Sequence, residues 1–161
     1  MTITSVHTDY DGLTITLIAE FGHPIDRVWE LWSDPRKLEQ WWGPPGYPAT
    51  VEKHALTPGG EVTYSMTGPE GEQHRGMWRV TSVDPPTSLR FTDAFADSDG
   101  APLEDAPVSE ISVQLLEREG GTRMELRITF ETREDMERIV EMGTVEALKH
   151  GVGHMDSVLA P

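Results

Sequence analysis

The sequence predicts an α+β fold in which one curved antiparallel sheet of seven strands wraps round a long C-terminal helix. Seven segments between residues 13 and 131 carry the signals of strands, and in most of them apolar residues recur with the period of two that is typical of a half-buried strand. Most connections between them are short and rich in Gly and Pro, which favours antiparallel hairpins. Apolar residues then recur at helical spacing from about residue 133 to 159. Because such a sheet cannot bury its apolar face alone, the helix is its natural cover.

The first strand is followed by two short helices. Apolar positions alternate through residues 13–21, which predicts a strand with one buried face. Pro24 suits the first position of a helix, and an apolar stripe follows it: Ile25, Val28, Leu31 and Trp32. The pair Asp34-Pro35 ends that helix, because the residue before a proline disfavours the helical conformation. Residues 35–42 are predicted as a second helix, which ends at the Gly- and Pro-rich loop 43–48.

Six further strands complete the predicted sheet. They span 49–56, 60–67, 73–83, 88–96, 108–117 and 123–131. The one long connection is the acidic loop 97–107, and a loop of that length is either mobile or functional.

The last predicted element is a single long helix over residues 133–159. Thr132 is a typical helix N-cap, and Asp135 follows three residues later as in a capping box. Gly143, Gly151 and Gly153 weaken the helix, each by about 1 kcal/mol relative to Ala. They therefore indicate either close packing against a neighbour or room for a ligand on the inner face.

Composition excludes several classes of function. The 161 residues are predicted as a single domain over 1–161, with its core at about 11–160. The net charge of −15, from 28 acidic residues against 13 Lys and Arg, should repel nucleic acid and anionic lipid. No apolar run approaches the ~20 residues needed to span a bilayer, and no signal-peptide pattern is present. Cysteine is absent, which excludes thiol chemistry and fits a cytoplasmic protein.

We predict no metal and no cofactor. His150 and His154 are four residues apart and share a helix face, but a zinc site would need a distant third ligand such as His54 or His74. The Asp-Ser-Asp-Gly run at 97–100 lacks the rest of a calcium-binding loop, so a plain turn is the better interpretation.

Clustered tryptophans indicate a candidate pocket. Four of the five tryptophans lie within residues 29–42, immediately before the loop 43–48. Large amphipathic rings beside such a loop are typical of the mouth of an apolar pocket, and the alternative is that they fill a small core. A Trp-rich lid could also serve as the face of a homodimer.

Alternation along the strands predicts which polar side chains face inward. Tyr64, His74 and Asp93 share a face with the apolar residues of their strands. A histidine, a carboxylate and a phenol together could move protons on a carbonyl ligand, so these three are the candidate catalytic residues. The alternative is that the His and the Asp are solvated and the Tyr satisfies a backbone carbonyl.

A series of motifs in a fixed order carries a resemblance to a known family. They are Asp34-Pro35, Leu38 and Trp41-Trp42-Gly43-Pro44, then Pro58-Gly59-Gly60, Asp84-Pro85-Pro86 and Met142-Gly143. The chain resembles the START-like (SRPBCC) superfamily over about residues 11–160, and within it the branch named after the activator of heat-shock-protein ATPase. One departure is Ala147-Leu148, where helices of the family often carry Gly-Trp.

The resemblance implies a helix-grip fold of the START/Bet v type, with a hydrophobic cavity between the sheet and the C-terminal helix. Superfamily members bind lipids, sterols or polyketide-like ligands, and a minority are cyclases or aromatases. We therefore predict that the chain binds a small apolar or aromatic ligand and favour binding over catalysis. The predicted ligand contacts are Trp32, Trp41, Trp42, Tyr64, Met66, His74, Trp78, Phe91, Met142 and Leu148.

The same residues also fit two alternative hypotheses. One is an enzyme of polyketide cyclase or hydratase type that uses His74, Asp93 and Tyr64. The other is a co-regulator of a chaperone ATPase, with the acidic segment 93–117 as the docking face for a basic partner. That segment contains no Lys or Arg.

Overall fold

The computed structural model describes residues 2–43, 46–99, 101–104 and 106–159. Seven positions that belong to sequence-based predictions lie outside these ranges: Pro44 and Pro45 of the loop 43–48, Gly100 and Asp105 of the acidic loop, and Met1, Ala160 and Pro161 of the predicted domain 1–161. The elements in chain order are β1 (Thr2–Asp9), β2 (Thr14–Phe21), α1 (Ile25–Ser33), α2 (Pro35–Trp41), β3 (Ala49–His54), β4 (Glu61–Thr67), β5 (Gln73–Asp84), β6 (Ser88–Ala96), β7 (Val108–Arg118), β8 (Gly121–Phe130), α3 (Arg133–Glu141) and α4 (Thr144–Leu159). The predicted α+β class is confirmed.

The strands form one antiparallel sheet in the order β1-β2-β8-β7-β6-β5-β4-β3. All seven predicted strands are present, and their ends lie within two residues of the predicted ones. The sheet has eight strands rather than seven, because β1 pairs with β2 at one edge. A register shift between Ile3 and Ser5 interrupts the alternation of β1, and Val6 is its only other apolar residue. With so little apolar surface, β1 lacks the sequence signal of a half-buried strand.

The two short helices lie where the sequence predicts them, and Asp34 separates them. Its extended backbone ends α1, and its carboxylate accepts a hydrogen bond from the Arg36 backbone N–H at 2.9 Å, which caps α2. The buried indole N–H of Trp41 donates to the Leu31 carbonyl oxygen at 2.8 Å. This bond fixes α2 against α1 and holds the Trp41 ring in place.

The single long helix of the prediction is two helices in the structure. Gly143 lies between α3 and α4 with φ of +81°, a left-handed conformation that ends a helix and that glycine adopts without strain. The apolar spacing continues across the break, so periodicity alone does not reveal it. The predicted N-cap is confirmed, since the Thr132 hydroxyl accepts a hydrogen bond from the Asp135 backbone N–H at 3.1 Å.

One hydrophobic core joins the apolar face of the sheet to the helices. Alternate residues of β2 and β8 are buried, and α4 contributes Val152, Met155 and Leu159 to the same cluster. At its centre the rings of Trp78 and Phe91 stack with centroids 3.9 Å apart. None of the helices described is long and apolar enough to cross a membrane.

Candidate functional site

A cavity of about 450 Å³ separates part of the sheet from the C-terminal helices. Its floor is formed by inward-facing residues of β4 to β8, and its opposite wall by α3, α4 and the residues that join them. The end of α2 and the following loop close a third side with Trp41, Trp42 and Tyr47. The cavity therefore lies where a ligand site is expected in a fold of this layout.

Seven of the ten predicted ligand contacts line this cavity. They are Trp41, Trp42, Tyr64, Met66, His74, Met142 and Leu148. The remaining three, Trp32, Trp78 and Phe91, are completely buried and do not belong to the lining. They form the layer behind it, where the ring of Trp78 supports that of Trp42 at a centroid distance of 5.0 Å. Period-two alternation places a ring on the inner face but does not say whether a further ring covers it.

Two of the three candidate catalytic residues meet in the cavity. The Tyr64 hydroxyl donates a hydrogen bond to Oδ1 of Asp93 at 2.9 Å. The bond crosses β5, since Tyr64 lies on β4 and Asp93 on β6. Gly76, which pairs with Tyr64, makes this crossing possible: a Cβ there would lie 2.3 Å from both Cζ and Oη of the tyrosine.

Burial makes this pair electrostatically unusual. Loss of solvation raises the pKa of Asp93 to about 7, although the hydrogen bond from Tyr64 opposes the rise. The pKa of Tyr64 is raised well above its ordinary value, first by burial and then by the negative charge of Asp93. The Trp42 ring packs edge to face against that of Tyr64, with the ring centroids 5.7 Å apart. The site thus holds a neutral phenol beside an acid that titrates near neutral pH.

His74 lines the same cavity but lies at its rim. Its side chain is exposed, and its ring is 5.8 Å from that of Tyr47, centroid to centroid. Tyr47 lines the cavity from the loop after α2. The structure therefore brings Tyr64 and Asp93 together in the interior and leaves His74 in a separate polar group at the mouth.

Comparison with known proteins places this architecture in a family. Residues 22–160 match the family described as activator of Hsp90 ATPase homolog 1-like protein. The chain belongs to this family. A search of curated proteins found no match.

Several solved structures share the fold of this chain, and two of them also resemble it in sequence. Protein Ms6760 from Mycobacterium smegmatis is 44% identical, with a TM-score of 0.90 over 99% of this chain and 98% of that one. A protein from Arthrobacter aurescens is also 44% identical, with a TM-score of 0.93 over 98% of this chain and 92% of that one. CalU16 from Micromonospora echinospora shares the fold at 20% identity, with a TM-score of 0.61 over 92% of this chain and 76% of that one. The helix-grip fold predicted from the sequence is confirmed.

The structure adds cavity residues that the sequence did not single out. Among them are Ser109 and Ile111 of β7, Ile128 of β8, and Thr144 and Ala147 of α4. Ser109 is the cross-strand partner of Asp93 and is itself buried, so it adds a hydroxyl to the polar floor. Alternation correctly puts these strand residues on the inner face. Which end of each strand borders the cavity depends on where the helices lie.

No metal centre is present among the residues that the structure describes. No three of their His, Asp and Glu side chains are grouped so that they could hold a metal ion. His150 and His154 are both exposed on α4.

Proposed function

We propose that this protein binds a small, largely apolar molecule in the cavity between the sheet and the C-terminal helices. The observation that carries the proposal is a cavity of about 450 Å³ with aromatic and aliphatic walls and one polar pair, Tyr64–Asp93, on its floor. Small-molecule sites in proteins have this size range and this combination of apolar lining with few polar groups.

The rim of the cavity supports entry of a ligand from solvent. Met142 and His74 line the cavity, and both are exposed; 58% of Met142 is accessible to solvent. Met142 adjoins the break at Gly143, where the backbone between α3 and α4 is not helical. A flexible apolar side chain at such a mouth suits ligands of varied shape.

A fluorescent apolar probe tests the proposal. We expect neutral N-phenyl-1-naphthylamine to bind with a rise in its fluorescence and to quench the tryptophans. Leu148→Trp places a larger ring in the cavity wall and should abolish binding. Leu116→Trp makes the same change at a position 56% exposed on β7 and should leave binding intact. Equal binding by both variants would place the probe outside the cavity and contradict the proposal.

One observation favours a second candidate function, a cyclase or hydratase that uses Asp93, Tyr64 and His74. An acid with a pKa near 7 that also faces a cavity is suited to give and take protons. The test is to recover the small molecule carried by the purified protein and incubate it with wild type, Asp93→Asn and Tyr64→Phe. A product that differs by one water, or an isomer of equal mass with a different chromatographic retention, formed by wild type alone, would support catalysis. An unchanged mass and retention with all three proteins would leave binding as the function.

The hypothesis of a chaperone ATPase co-regulator stays a prediction. Asp93, the first residue of the proposed acidic docking segment, lines the cavity and is not available to a docking partner. Glu104, Glu110 and Glu117 remain exposed. A pull-down at low salt with a chaperone tests this hypothesis, and the variant Glu110→Gln/Glu117→Gln should weaken any genuine contact.

A further inference from the structure

The hydrogen bonds around Asp93 leave one of its oxygens unused. Oδ1 accepts the bond from Tyr64, and the described part of the chain supplies no hydrogen bond to Oδ2. Oδ2 is also not among the side-chain atoms that are sealed from solvent without a partner. Because Asp93 lines the cavity, this acceptor is open to a molecule inside it.

The one group that hydrogen-bonds to this carboxylate is a donor, since the Tyr64 hydroxyl donates to Oδ1 of Asp93 among the described residues. An ionised carboxylate is an acceptor only, so the group that completes its hydrogen bonds at Oδ2 must also be a donor. A ligand carbonyl can only accept, so it cannot hydrogen-bond to Oδ2 of the ionised carboxylate.

The cavity offers Asp93 no positive partner. Neither Lys nor Arg occurs among the described lining residues, and His74 is exposed at the rim. The walls instead present the rings of Trp42 and Tyr64, which pack edge to face with their centroids 5.7 Å apart. Aromatic faces attract cations, and a half-buried carboxylate without a counter-ion is costly.

We propose that the ligand is an apolar or aromatic amine, whose protonated nitrogen donates to Oδ2 of Asp93 while its apolar body fills the cavity. This inference rests on the proposed ligand-binding function and names the chemical class of the ligand. The net charge of −15 favours approach of such a cation from solution.

Binding of an amine at Asp93 should depend on pH. Burial raises the pKa of Asp93 to about 7, so preference for an amine should grow as pH rises through that value and the carboxylate forms. The other titratable groups that line the cavity are Tyr64 from β4, His74 from β5 and Tyr47 from the loop after α2. The described lining residues of α3 and α4 carry no titratable side chain.

The test compares three probes with one ring system: naphthylethylamine, naphthylethanol and naphthylacetate. At about pH 8 we expect the amine to bind roughly tenfold tighter than the alcohol, and the acetate to bind most weakly. At about pH 5.5 the advantage of the amine should shrink. In Asp93→Asn the amine and the alcohol should bind equally, whereas Glu110→Gln, which removes an exposed charge, should keep the preference.

Tyr64→Phe provides a second variant that keeps the carboxylate. It removes the hydrogen bond that lowers the pKa of Asp93, so the pH at which the amine preference appears should rise. Equal binding of amine and alcohol by the wild type at about pH 8 would overturn the inference and leave the proposed function intact. A preference that survives Asp93→Asn would assign it to surface charge and overturn the inference as well. Failure of all three probes to bind would overturn the proposed function itself, and the inference with it.

Discussion

Substitution of Gly76 by alanine should break the hydrogen bond between Tyr64 and Asp93 without changing either residue. The added Cβ would lie 2.3 Å from Cζ and Oη of Tyr64 and 2.8 Å from Cε2. Ordinary contact begins near 3.4 Å, so the ring must move by about 1 Å. A shift of that size away from β5 stretches the 2.9 Å hydrogen bond to Asp93 beyond bonding distance.

The expected cost combines two effects. Overpacking of a filled site costs about 1–3 kcal/mol, and loss of a hydrogen bond to a charged group about 1.5–3 kcal/mol. Because relaxation of the ring relieves part of the first effect, we expect Gly76→Ala to lower the free energy of unfolding by about 2–4 kcal/mol. Urea unfolding measures a change of this size directly.

A double-mutant cycle separates this cause from a general effect of replacing glycine. In a Tyr64→Ala background the obstacle is gone, and Gly76→Ala should change stability by less than about 1 kcal/mol. Gly22→Ala is the matched control, since an added Cβ there meets no atom within 4 Å. Equal losses from Gly76→Ala in the wild type and in Tyr64→Ala would refute the steric reasoning.

Three further predictions concern the cavity and its wall. The pKa of Asp93 is raised in the folded state, so the protein loses stability as pH rises from about 4 to about 7, by at most about 4 kcal/mol before solvent screening. In urea unfolding across this range, the free energy of unfolding should change less with pH for Asp93→Asn than for the wild type. Gly151→Ala places a Cβ 2.5 Å from the Trp41 carbonyl oxygen and should cost about 1–3 kcal/mol in thermal unfolding, while Ala at the exposed Gly153 should stabilise. Gly143→Ala, at φ of +81°, should cost about 1 kcal/mol by strain, measured by the same unfolding, and an unchanged Tm would contradict that.

Local patterns determined most of the secondary structure of this protein. Seven strands alternate with period two because one face of each is buried, and that requirement is written into each segment separately. Asp34-Pro35 and Thr132 mark helix ends because their side chains and backbone act on immediate neighbours. β1 was not predicted, because it is an edge strand with a register shift and little apolar surface.

The cavity shows what local patterns leave undecided. The sequence by itself determined that Tyr64 and Asp93 face inward, because alternation fixes the face of each residue within its own strand. It could not determine that the two side chains meet, because the bond depends on the order of three strands and on the space left at Gly76. Nor could it separate the ring of Trp42, which lines the cavity, from that of Trp78 behind it. Burial is a property of one residue and its face, whereas a cavity exists only where the packing of several elements leaves a gap, and the tertiary structure alone decides that.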